Sequence, residues 1–115
     1  MDERWAFRPE EAARAAHDRA AASDDPDLRA EAMYEVACGH VLRDDAAAAA
    51  MFRRVIGTRR PKWAAAAMVG LAKVLMRGGD PGGAEALCRE AAEADDADWS
   101  AHASCLLGDV LKGLA

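Results

Sequence analysis

Apolar positions in this chain follow a helical period, and no window alternates apolar and polar as a half-buried strand does. On a helical wheel Ala103, Leu106, Leu107, Val110, Leu111 and Leu114 share one face, while His102, Gly108, Asp109, Lys112 and Gly113 occupy most of the other. That one-sided pattern suits a helix at the end of a stack. An earlier window differs: Leu71, Val74 and Leu75 lie on one side and Val69 and Met76 opposite, as in a helix packed on both sides. The breaks between windows are marked by proline, which is tolerated at the first helical position. Pro9 precedes Glu10 and Glu11, Pro26 and Pro81 follow the capping residues Asp25 and Asp80, and Pro61 follows Gly57-Thr58-Arg59-Arg60. The acidic pairs Asp44-Asp45 and Asp95-Asp96 mark two more boundaries. Six helices are therefore predicted, over 9–22, 27–43, 46–58, 61–77, 82–94 and 97–113. Their connections are short enough to make antiparallel hairpins. Residues 1–8, with Trp5 and Phe7, are not assigned to an element.

Composition sharpens the expectation of an all-α fold in one domain spanning residues 1–115. Thirty of the 115 residues are alanine, the best helix former and one that buries little area. Residues with strand preference are scarce. Helices packed closely are expected, rather than a deep core of large side chains. The net charge of −5 argues against a nucleic-acid or anionic-membrane partner, since both need a basic surface. Arg59, Arg60 and Lys62 cluster, but beside a proline they read as a solvated helix junction. No apolar run approaches the length of a membrane span, and the first residues lack the pattern of a secretory signal, so a cytoplasmic location is expected. Cys38, Cys88 and Cys105 are odd in number and lack CxxC spacing, which fits reduced packing residues better than disulfides or zinc. There is no Asn or Gln, and Arg outnumbers Lys twelve to three, a bias associated with GC-rich bacterial coding.

An internal repeat runs through the predicted helices. A shift of 36 residues carries Trp63 onto Trp99, Leu71-Ala72 onto Leu107-Gly108, Val74 onto Val110 and Leu75 onto Leu111. A shift of 33 the other way carries Val74 onto Val41 and Leu75 onto Leu42. Ala48, Phe52 and Val55 likewise superpose on Ala84, Cys88 and Ala91, and Ala13 and Ala20 superpose on Ala84 and Ala91.

These residues resemble the tetratricopeptide repeat over about residues 27–115. The large–small–large pattern of the family's first helix is matched by Leu71-Ala72-Leu75, Leu107-Gly108-Leu111 and Cys38-Gly39-Leu42. Gly79 stands for the turn glycine, and Ala84, Cys88 and Ala91 match the second helix. Glu35, Met68 and Ser104 depart from the large residue early in the first helix, and a Sel1-like two-helix repeat fits the same positions. The resemblance implies antiparallel two-helix repeats stacked as a short right-handed α-solenoid of about six helices. It also implies a protein–protein interaction module, a scaffold or adaptor, that takes a peptide or helix in a concave groove. Carried over, the groove lining is Met33, Val36, His40 and Arg43, then Ala66, Val69, Lys73 and Met76, then His102, Cys105, Asp109 and Lys112. Soft apolar and charged side chains together suit an amphipathic segment. Relatives that clamp a terminal carboxylate use groove Asn residues, which this chain lacks.

Chemistry is weakly signalled, and no cofactor or metal is expected. The repeat puts His40, Lys73 and Asp109 in a row, which leaves open a small-molecule or minor enzymatic pocket. A His–Asp general base, or a metal held by His40, His102 and Cys105, would need contacts that helix spacing opposes. No phosphate loop, nucleophile elbow or zinc-protease motif is present. His17 falls on a packing position. Trp63 and Trp99 at equivalent helix starts read as packing between repeats before they read as stacking platforms. A third alternative is self-association, with a homodimer formed through the wide apolar face of the C-terminal helix.

Overall fold

The computed structural model of the chain describes residues 22–114 together with Glu11, Arg14, Ala15 and Asp18, which are helical. The rest of the helix expected over 9–22, His17, Ala13 and Ala20 among it, and residues 1–8 lie outside the described residues. Among the described residues there are five helices and no strand: α1 Pro26–His40, α2 Asp45–Gly57, α3 Pro61–Arg77, α4 Pro81–Ala92 and α5 Ala97–Leu114. None is long and apolar enough to cross a membrane.

Local chemistry sets the starts. Pro26, Pro61 and Pro81 each open a helix, where a missing backbone N–H is harmless. The Asp25 carboxylate accepts from the Asp27 amide at 2.9 Å, Asp44 from Ala47 at 3.0 Å and Asp80 from Gly83 at 2.9 Å. Each bond satisfies one amide that the first turn leaves unpaired. Arg60 makes no such cap; it reaches across to α1 and pairs with Asp27 at 2.8 Å.

The stop of α1 corrects the sequence reading. The helix ends at His40 instead of running to 43, because Leu42 takes a left-handed backbone, with φ 72°. The turn is held from both sides. The His40 carbonyl accepts from the Arg43 and Asp44 amides, and Asp45 accepts from the Leu42 amide at 2.9 Å. Leu42 is thereby turned out to 78% exposure, so its expected equivalence to the packing residue Leu75 fails.

Each helix packs on its neighbour in the chain, and α3 touches the other four. The short connections fold each helix back along the one before it. Burial follows from that position. Eight residues of α3 are buried, from Ala64 to Val74, including Val69 and Leu71 on different sides. At the end of the array α5 buries Ala103 and Val110, with Leu106 and Leu107 packed partly against them and Leu111 still 40% exposed. The core is alanine-rich, and its largest fully enclosed side chains are Phe52, Val55, Val69, Val110 and Cys88. Small residues let the helices approach, and Gly70 is one point of close contact. A Cβ there would stand 2.6 Å from the Phe52 ring, so the ring lies directly on the α3 backbone.

Candidate partner-binding face

Side chains of α1, α3 and α5 meet on one face of the molecule. Tyr34 lies on α1 between Ala30 and Ala37, two fully buried positions one turn away on either side. Its ring is 5.9 Å from Phe52, 5.7 Å from Trp63 on α3 and 6.2 Å from Trp99 on α5. Trp99 stacks on His102 with centroids 5.4 Å apart and planes at 19°. Trp63 carries the Lys62 ammonium over its ring at 5.0 Å, within cation–π range. Tyr34, Trp63 and Trp99 are half-buried: each packs against the core and stays partly exposed. The Trp63 and Trp99 starts therefore pack between helices, as expected, through a tyrosine that the repeat comparison did not single out.

Polar groups border this aromatic floor. Lys73 Nζ stands 3.4 Å from His102 Nε2, and both side chains are exposed. Cys38 lies beside Tyr34. Burial first, and then its neighbour Cys38, pushes the Tyr34 phenol well above its ordinary range. Burial likewise raises the Cys38 thiol, opposed by a hydrogen bond with Tyr34 and by the charge of Lys73, and assisted by Glu35. Both groups are held in their neutral forms, and a protonated thiol is a poor nucleophile.

The residues expected to line a groove divide into three groups. Lys73 and His102 are brought together, and Cys105, Asp109, Lys112 and Arg43 are exposed. Met33, Val36, His40 and Met76 are half-buried; Met33 packs on the core between α1, α2 and α3, and Met76 on the core against α5. Ala66 and Val69 are corrections: at 0% and 1% exposure they are core residues, with Val69 packed on Ala91 and Ala103 where α4 and α5 close over α3. The row of His40, Lys73 and Asp109 does not form a contact network, since the polar partner of Lys73 is His102.

Among the described residues no three potential metal ligands come together. A shallow cleft of about 270 Å³ lies elsewhere, between the start of α3 and the end of α4. Ala64, Ala65 and Met68 floor it, and Glu90, Glu93 and Asp95 rim it. Neither a histidine nor a nucleophile lines it, and none of the expected groove residues contributes to it. Tyr34 is the residue that sequence reasoning missed. Its signal was present, because positions 30, 34 and 37 fall on one helical face and the flanking two are alanines. No protein-family model matches the chain, no curated protein matches it, and no solved structure matches it.

Proposed function

We propose that this chain is a protein-interaction module of the helical-repeat kind, resembling a short tetratricopeptide-like solenoid, and that it captures a segment of another protein on the face shared by α1, α3 and α5. The observation that carries the reading is the aromatic row Tyr34, Trp63, Trp99 and His102, which spans three helices and stays partly exposed. Aromatic side chains with one apolar face and accessible edges are the usual anchors of protein recognition. Lys62 and Lys73 border the row and supply polar contacts for orientation. Its alanine- and arginine-rich composition supports a bacterial source for such a module.

The reading is tested by panning a random peptide display library against the whole chain. Enriched peptides should change the tryptophan fluorescence of the protein. Their binding should weaken in Lys73→Ala and His102→Ala variants that retain full helicity by circular dichroism. Enrichment that is indifferent to these substitutions would place the binding surface elsewhere.

A second reading, self-association through α5, has one observation in its favour. Ala101, Ser104, Gly108 and Leu111 are all exposed on α5, so among the described residues one side of that helix has no helix against it. Light scattering decides it: a mass of twice 12.2 kDa that falls in Leu111→Lys supports a dimer, and a monomer mass at all concentrations removes it.

A further inference from the structure

We infer that the segment bound on this face is acidic, and that one of its carboxylate side chains docks between Lys73 of α3 and His102 of α5, with an adjacent aromatic or large aliphatic residue against Trp99 and Tyr34. The inference rests on the reading of this face as the binding surface and states what chemistry it selects. A lysine ammonium has three donors and no acceptor, so its contact with His102 Nε2 at 3.4 Å uses at most one of them. The remaining donors find no partner among the described residues. Acids are close at hand and are not used. Glu35 lies near enough to act on Cys38, as Lys73 does, and Asp109 is two turns along α5 from His102. Neither forms an ion pair with Lys73.

That is unusual for this molecule. Two inter-helix contacts between charged side chains match cation to anion: Arg60 with Asp27 at 2.8 Å, and Arg77 with Asp45 at 2.8 Å. In a chain of net charge −5, the Lys73 ammonium, set beside His102 and paired with no carboxylate among the described residues, forms a local site of opposite sign to the whole. Stacking on Trp99 restrains the plane of His102, and in this arrangement Nε2 faces Lys73. A carboxylate between the two accepts from Nζ and, when the ring carries its proton there, from Nε2. Charge-assisted bonds of this kind are the stronger class. A basic segment is repelled by the Lys73 ammonium, and the net negative charge of the chain does not offset a repulsion at contact distance.

The experiment uses a library of random dodecapeptides on the full chain, followed by fluorescence anisotropy of the winners at low and high salt. The expected result is enrichment of Asp or Glu next to a large apolar residue. Affinity should fall about tenfold in Lys73→Glu, and raised salt should also weaken it. A winner remade with Lys in place of its acid should bind Lys73→Glu better than the parent protein, which guards against a loss caused by misfolding. Winners that are basic or uncharged, and that bind Lys73→Glu and wild type equally, overturn the acidic inference while leaving the binding face intact. No enrichment at all overturns the binding face, and the inference falls with it.

Discussion

At the residue scale, two positions do what their residue types do not ordinarily favour, and each can be tested. Gly70 sits in the interior of α3, where glycine costs about 1 kcal/mol relative to alanine. It is there because the Phe52 ring occupies the space of a Cβ, and Phe52, at 1% exposure, has nowhere to move. Gly70→Ala should therefore lose the overpacking contest despite its better propensity, with a net destabilisation of about 1–2 kcal/mol. Urea unfolding measures it, and Phe52→Leu in the same chain should restore part of the loss. Leu42 is the converse case. A left-handed backbone at a β-carbon-bearing residue costs about 1–2 kcal/mol, and at 78% exposure the side chain recovers little by packing. Leu42→Gly should raise stability by about 0.5–1 kcal/mol in the same assay, the unfolded-state freedom of glycine taking back part of the strain. Lys73 shows how far single residues could be read in advance. A register argument places Cα atoms, and it put Lys73 level with His40 and Asp109. The ammonium sits at the end of a long flexible stem and settles beside His102 instead.

At the scale of elements, the helix starts were legible and one stop was not. Proline and aspartate act through the backbone within a few residues, so Pro26, Pro61 and Pro81 mark their helices directly. The end of α1 depends on the next element. Asp45, on the first turn of α2, holds the Leu42 amide and also pairs with Arg77 at the end of α3. No property of residues 39–43 by themselves signals this. Gly39, the local candidate for a terminator, is inside the helix. Asp45 thus ties three helix ends together, and the tie should titrate. The Arg77 guanidinium, and after it the Leu42 amide, holds the Asp45 carboxyl below its ordinary range. A carboxyl with a lowered folded pKa contributes fully above its unfolded value and is lost as pH falls through the folded one. The stability gap between wild type and Asp45→Asn should be constant near neutrality and should close as pH falls below about 4. A gap that persists unchanged at pH 2 would mean that shape, not charge, makes the contribution.

At the scale of the whole molecule, the order of packing decides how a local loss spreads. Among the described helices α3 touches every other, whereas α1 packs along α2 and α3 and α5 packs along α3 and α4, with the Tyr34–Trp99 ring contact joining α1 to α5. The pattern of apolar positions predicted this contrast between an interior and a terminal helix, because those of α3 fall on opposite sides and those of α5 on one. Which rings would bridge the odd-numbered helices was not legible, since Tyr34 has no counterpart at the equivalent positions Ala67 and Ala103. Because α3 touches all the other described helices, opening free energy should be greatest there and least at the ends. Val110→Ala removes buried volume where α5 meets Ala72, Ala84 and Cys88, at a cost of about 1–3 kcal/mol. Amide hydrogen exchange should then quicken throughout α5 and at the facing side of α4, while α1 and α2 keep their wild-type rates. The aromatic face supplies an internal control. Trp99 joins α5 to Tyr34 of α1, so if that bridge couples the two ends, the Tyr34 turn of α1 will quicken along with α5. An unchanged α1 would show that the ring contact orders a surface without carrying stability across it, as an open binding face requires.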